Sequence, residues 1–515
     1  VPRAPRWRPA AAWATVALTA ATAACGPGEA PTPAAPGAAS ADAPAEAAIA
    51  WFRGDLDAAF ATATATGKPV LLYWGAEWCP DCKQLKSSVF TRADFIARTR
   101  QFVAVYLDGD QPGAQALGDA FRVTGYPTLV VLAPDRREVT RVAGGMDLSL
   151  YAAALDAALA DLRPMAEVVA AVARPDHALT ADDCRRLAWH GYGLDDGDTY
   201  DPAVLAAALA RAATGCAADR DLALRLRLLA AVRALAPADP ATRGALTGLL
   251  ADPAAAVGHI DVLAAIPREA YAAAPPAGSE LATRVASVAA AAATDARFPP
   301  ADQLYAERLR LVALAATRPD GRPPPDLLAA ALARATGLLA TTPPGYVRAS
   351  LVTPTLYLYT EAGDWEGQRA LLRQEVEAGR NVHYYLGDLA RVEEQLGNAT
   401  AALDLYAEAW RRAEGAATRA QWGYDYVAAL LRLAPADAAR VRTAGLELLA
   451  DVGGGSAVHR RTAQRLGRLG TQLGAWATTA ERQAVVRTLH DRLAAVCAGG
   501  TGEPPAGCAE LIPAA

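Results

Sequence analysis

The sequence predicts an α/β domain over residues 48–163 and an all-α helical-repeat region over 164–515. Three observations carry this. Dense apolar runs alternate with stretches of helical spacing as far as Leu162. Beyond Arg163 strand signals vanish, and Ala, Leu and Arg dominate, a composition that favours helices. Gly363 and Gly397 sit in similar short segments 34 residues apart, the period of a helix–turn–helix repeat. At 515 residues the chain is too long for one ordinary core.

In order, Ile49–Phe52 reads as a short strand. Leu56–Thr66 reads as a helix that stops at Gly67 and Pro69. Val70–Trp74 is a continuous apolar run, as a buried strand requires. Cys79–Phe90 is a helix, Phe102–Leu107 a second buried strand and Ala114–Arg122 a helix. Thr128–Leu132 and Val139–Val142 are strands, and Leu148–Leu162 closes the domain as a helix. The order βαβαβαββα makes a central sheet with helices on both faces. In the second region Leu222–Leu235, Leu304–Ala316 and Leu327–Leu339 have helical spacing. Proline-rich breaks at 323–325 and 343–344 separate such segments.

The N-terminus reads as an export signal over residues 1–25. Arg3, Arg6 and Arg8 precede an uncharged apolar run from Ala10 to Ala24 that is short for a membrane span. The small residues before Cys25 resemble a bacterial lipobox, so Cys25 is the expected lipid attachment point. The other reading is plain cleavage after Ala23, since Ala21-Thr22-Ala23 has the A-x-A form. Residues 26–47 are a Pro/Ala-rich linker without bulky apolar residues, expected to stay disordered. Gly26 after Cys25 lacks the acidic residue that resembles an inner-membrane retention signal. A periplasm-facing outer-membrane lipoprotein is therefore expected, with a secreted or periplasmic soluble protein as the alternative. No other long uncharged apolar stretch follows, so the membrane is a partner only through that anchor. The net charge of −5 contains no basic block, which argues against nucleic acid.

The strongest motif is Trp74-Gly75-Ala76-Glu77-Trp78-Cys79-Pro80-Asp81-Cys82-Lys83, a C-x-x-C between a buried strand and a helix. At a helix start the first cysteine faces free backbone N–H groups and the positive end of the dipole, and both favour thiolate. Cys79 is therefore the expected attacking sulfur. Cys82, one turn on and less exposed, resolves the mixed disulfide. Gly125-Tyr126-Pro127-Thr128 leads into a strand and suits a tight turn with a cis peptide. A zinc site would need two further Cys or His nearby. His177, Cys184 and His190 fall outside the domain, so no metal is expected.

These residues carry a resemblance. Residues 50–162 look like the thioredoxin superfamily, and within it the C-terminal domain of the thiol:disulfide interchange reductases. The shared signature is Gly67-Lys68-Pro69-Val70-Leu71, Ala76-Glu77-Trp78-Cys79, Cys82-Lys83, Val89-Phe90, Tyr126-Pro127-Thr128 and Val142-Ala143-Gly144-Gly145. The resemblance implies a thioredoxin-like fold, catalytic Cys79 and Cys82, and a cis Pro127. It also implies substrate contacts at Trp78, Tyr126 and Pro127. It departs at Tyr73, where the family often has a buried acid. Glu77 and Asp81 are the remaining candidates for proton transfer, both expected on a solvated rim. Leu386–Ala409 resembles one tetratricopeptide repeat, with Gly397 turning between its helices and Ala402, Tyr406 and Ala409 packing; the repeat-like part spans about 350–450.

In an exported protein Cys497 and Cys508, flanking a Gly/Pro-rich loop, are expected as a structural pair; Cys184 and Cys216 either pair across two helices or stay two unpaired buried thiols. Together these readings predict an exported oxidoreductase acting on protein thiols and disulfides. It needs no cofactor beyond its dithiol, and it depends on a separate electron donor. The alternatives are a helical-repeat adaptor with a client-recognising thioredoxin-like domain, and a disulfide isomerase or oxidase.

Overall fold

The computed structural model describes residues 48–514, except 112, 124, 144–147, 193–198, 236–238, 272–276, 381, 456–457 and 501–504. The expected export signal, the expected lipid site Cys25, the linker expected at 26–47 and Gly144-Gly145 of the signature lie outside the described residues.

The first region is built on a four-stranded mixed sheet in the order β2-β1-β3-β4. The strands are β1 (Val70–Gly75), β2 (Val103–Asp108), β3 (Thr128–Leu132) and β4 (Glu138–Ala143). β1 pairs in parallel with β2 and antiparallel with β3. All six β1 residues are buried, which explains the unbroken apolar run. Alternation along β1 divides them between two cores. Leu71 and Tyr73 join Leu85, Phe95 and Leu155 on one face. Val70, Leu72 and Trp74 join Phe60, Val105 and Val130 on the other.

Five helices flank this sheet: α1 (Leu56–Thr66), α2 (Pro80–Ser88), α3 (Ala93–Thr99), α4 (Ala114–Ala120) and α5 (Leu148–Ala160). Asp55 caps α1 through the Ala58 N–H at 2.8 Å, and Gly67 ends it in the left-handed region at φ +67°. The sequence expectation needs two corrections here. Ile49–Phe52 forms no strand: Trp51 turns its N–H onto Ile49 O (3.0 Å), and only Phe52 reaches the sheet edge, at Ala104 O (2.7 Å). The expected Cys79–Phe90 helix ends at Ser88, and a separate helix, α3, follows it.

After α5 the described residues contain helices and no strand. Met165–Ala173 begins the array, and Ala480–Gly499 is its last α-helix. The Tyr346–Ala362 helix ends at Gly363 (φ +65°), and Gly397 (φ +82°) turns the chain from Val382–Gln395 into Ala399–Arg412. Ala402 and Ala409 are fully buried and Tyr406 nearly so. Gly387 lets two helices close up, since a Cβ there would stand 2.0 Å from the Trp422 ring. Cys184 and Cys216 are disulfide-bonded, as are Cys497 and Cys508. Among the described residues no single helix is long and apolar enough to cross a membrane.

The described residues from 48 onward form one compact unit. The early array seals the outer side of β4. Buried Arg186 donates to the carbonyls of Asp161, Val139 and Arg163, Gly191 N–H donates to Arg141 O (2.8 Å), and Thr140 Oγ1 meets His190 Nδ1 at 3.0 Å. An open sheet edge is thereby covered. The later array bends back and meets the same domain at the C-x-x-C.

Candidate active site

The sheet itself assembles the site. The β1 chain runs out at Gly75 just where antiparallel β3 starts, with Trp74 opposite Thr128. The turn after β1 carries Cys79, and the turn before β3 carries Tyr126 and Pro127, whose peptide bond is cis. Two motifs nearly fifty residues apart in sequence thus reach one end of the sheet.

Cys79 is the N-cap of α2, with Pro80 at the first helical position, where its missing N–H costs nothing. The Cys79 Sγ accepts the Cys82 N–H at 3.1 Å. That bond and the helix dipole stabilise a thiolate once the pair is reduced. Here the two cysteines are joined as a disulfide, Cα–Cα 5.2 Å. Cys82 is fully buried and Cys79 is 4% exposed.

Much of that cover comes from the array. Trp78 stacks on Tyr384 (centroids 6.1 Å, 23°) and meets His383 and Tyr126 edge-on. Its Nε1 donates to Asp110 Oδ2 at 2.6 Å, and Thr418 Oγ1 donates to the other oxygen of Asp110 at 2.6 Å. Gly415 permits this approach, because a Cβ there would lie 2.7 Å from that of Asp110. Tyr126 lies under the Arg461 guanidinium (4.4 Å to the ring centroid), and its hydroxyl accepts from Gln115 Nε2 at 3.1 Å. Asp119 on α4 accepts the Arg460 N–H (3.0 Å) and meets His459 Nδ1 (2.9 Å), tying down the start of the Arg460–Trp476 helix. The expected substrate contacts Trp78 and Tyr126 are therefore occupied by residues of the same chain.

The rim expected around Glu77 and Asp81 is different in detail. Glu77 is exposed and pairs with Lys86, as expected of a rim residue. Asp81 is also exposed, but to a cleft walled by helices of the array rather than to open solvent. Tyr305 OH donates to its Oδ1 at 3.4 Å. Crowding raises its carboxyl above the ordinary carboxylate value, burial being the main cause and the Tyr305 bond opposing it. Gln84 of α2 pairs with Asp302 from the same wall. Burial likewise brings the Lys83 amine down to about 8. Tyr73, where the family often has an acid, is 1% exposed. Its hydroxyl has no hydrogen-bond partner among the described residues and lies over Gly75, where a Cβ would come within 2.6 Å.

The distant Cys and His residues do not join the dithiol. His177 Nε2 meets Asp183 at 2.9 Å, Cys184 is bonded to Cys216, and His190 is held by Thr140 and Tyr200. Sequence reasoning missed Asp110, Tyr305, Tyr384, Thr418 and Arg461. Asp110 lies in the turn just after β2 and carries no periodic signal; the other four are polar or aromatic residues within helices of the array.

Residues 56–159 match the family model described as a thioredoxin-like domain. The chain is similar to thiol:disulfide interchange protein DsbD 1 of Pseudomonas aeruginosa, 36% identical over 96 residues, which is 18% of this chain and 16% of that protein. It is similar to DsbD 2 of the same organism, 31% identical over 97 residues (18% and 16%). It is also similar to DsbD of Ralstonia nicotianae, 33% identical over 108 residues (20% and 18%). The chain thus spans under a fifth of the length of the relatives it matches. The likeness is confined to the thioredoxin-like region.

Proposed function

We propose that this chain, whose residues 56–159 are a thioredoxin-like domain, is an exported thiol–disulfide oxidoreductase that reduces or exchanges disulfides of envelope proteins. The single observation that carries the reading is the Cys79/Cys82 pair at the start of α2, facing the cis Tyr126–Pro127 turn.

In the reductive direction the Cys79 thiolate attacks one sulfur of a substrate disulfide and the other sulfur leaves as a thiolate, which takes a proton. The Cys82 thiolate then attacks Cys79 Sγ and expels the second substrate sulfur. The substrate gains two electrons and two protons, and the protein is left with the Cys79–Cys82 disulfide. A separate dithiol donor must reduce that disulfide for another cycle. Glu77, held by Lys86, and Asp81, in the cleft, are the acids within the motif that can pass protons to water. The relatives' printed names, thiol:disulfide interchange proteins, support the same chemistry. Lipid attachment at Cys25 and a place at the outer membrane facing the periplasm complete the proposal.

The test is reduction of a protein disulfide by the full chain with a chemical dithiol as donor. Cys79→Ser should abolish turnover, and Cys82→Ser should accumulate mixed disulfides with substrate. Undiminished turnover by Cys79→Ser would overturn the reading. For location, Cys25→Ala should release the protein from membranes; unchanged retention would contradict the anchor.

A further inference from the structure

Beside the dithiol the array holds a cavity of about 380 Å³, within the range of small-ligand sites. It lies among the Tyr346–Ala362, Trp365–Glu377 and Val382–Gln395 helices. Thr353 and Gln368 both line it and are both nine-tenths buried (9% exposed each). Thr353 Oγ1 and Gln368 Oε1 have no hydrogen-bond partner among the described residues. Such orphaned groups cost stability unless something else satisfies them. Asp388 and Arg391 also line the cavity, and they bond each other at 2.8 Å.

The chemistry of this lining selects a ligand. The Asp388–Arg391 pair is self-neutralised, so the cavity offers no surplus charge for a phosphate or a metal ion. The buried groups left without a partner among the described residues are one acceptor, Gln368 Oε1, and one hydroxyl, Thr353, between aromatic walls supplied by Tyr357, Trp365 and Tyr384. A peptide group brings one N–H donor and one C=O acceptor, which matches that pair, and aromatic walls take side chains. The position fits too. Tyr384 lines the cavity and stacks on Trp78, the residue before Cys79. Tyr357 meets Tyr305, whose hydroxyl reaches Asp81 inside the C-x-x-C.

We propose that this cavity is a docking subsite for the extended polypeptide segment flanking the substrate's cysteine, its peptide groups satisfying Thr353 and Gln368. The proposal rests on the redox reading for its purpose but not for its test. A chain held there presents its disulfide at the cleft beside Cys79, which a folded domain surface could not enter while Trp78 and Tyr126 stay covered.

The experiment uses the full chain and two disulfides, a disulfide-linked decapeptide pair and hydroxyethyl disulfide, with the variants Thr353→Val and Gln368→Leu. Each variant should raise KM for the peptide disulfide roughly tenfold, the worth of one hydrogen bond, with kcat kept. The rate with hydroxyethyl disulfide should be unchanged. Because each variant removes an orphaned buried atom, its thermal midpoint should hold or rise. A residue serving only the fold would show the opposite, a lower midpoint and no substrate discrimination. Unchanged KM for the peptide in both variants would overturn the subsite. Binding is read separately with a cysteine-free decapeptide and the Cys79→Ser protein by calorimetry. Binding there that is lost in Gln368→Leu supports the subsite even if no turnover exists; absence of binding overturns it.

Discussion

Asp110 holds the cover over the dithiol, and replacing it by alanine should uncover Cys79. Its two oxygens accept from Trp78 on one side and Thr418 on the other, both at 2.6 Å. Hydrogen bonds to a charged acceptor contribute about 1.5–3 kcal/mol each. Asp110 is half-buried, so the lower figure applies, and the two bonds together give about 3 kcal/mol. The stack of Trp78 on Tyr384 and the Arg461 contact with Tyr126 remain in the variant. The local equilibrium between covered and uncovered states should therefore shift by at most roughly 100-fold, at about 1.4 kcal/mol per tenfold. The assay is the rate at which a bulky polymer-linked maleimide modifies the reduced protein near neutral pH, with single cysteine variants assigning the label. Asp110→Ala should raise the rate at Cys79 by about ten- to 100-fold. Thr418→Val, which removes one bond, should fall between the variant and the parent. An unchanged rate in a folded Asp110→Ala protein would refute the view that this carboxylate fastens the cover.

Three further outcomes are expected. Asp81 has a carboxyl raised in the folded state, so the stability tied to it is full below the unfolded value of about 3.9 and is lost as pH rises through the folded one; Asp81→Asn should thus raise the melting temperature at pH 8 relative to the parent and leave it unchanged near pH 3.5, and a loss confined to pH 8 would contradict this. The Cys184–Cys216 disulfide closes the longer loop, with a separation of 32 against 11 for Cys497–Cys508; serine replacement should cost about 3.7 kcal/mol for the first and about 2.8 for the second by loop entropy, and denaturant titration in the reverse order would defeat the loop argument. Lys83, with its amine at about 8, should be acylated by a small activated ester at pH 8 before Lys68, which has no comparable burial and donates to Arg100 O; peptide mapping that finds Lys68 modified first would refute it.

The redox domain was legible because its signals are local. Val70–Gly75 has no charged residue and is short, as a central strand requires, and the C-x-x-C follows after three intervening residues. Cys79 and Pro80 also announce a helix start by their own chemistry. The segment Ile49–Phe52 misled because apolar content alone does not show where its N–H groups point; Trp51 satisfies its own locally. Helix α3 was hidden because its seven residues, Ala93–Thr99, are too few to show a helical period. The cover could not be read at all. Tyr385 is buried in a core, and Tyr384, about 100° round the same helix, packs only partly against it. Nothing in that helix says that the rest of the Tyr384 ring meets a tryptophan three hundred residues earlier.

That separation has a consequence for how the molecule comes into being. The hydrogen bond from Thr418 to Asp110 joins residues 308 apart, and that from the Arg460 N–H to Asp119 joins residues 341 apart. The cover is thus the last part of the site to be translated. At about 5–20 residues per second, Arg461 follows Arg163 by roughly 15–60 s. Through that interval Cys79 and Cys82 precede both Cys184 and Cys216 along the chain and lack the residues that later enclose them. A nascent thiol pair without its enclosure can pair with the wrong cysteine. Where an oxidising compartment receives the chain before that enclosure closes, correct assembly depends on the order in which these four sulfurs are oxidised.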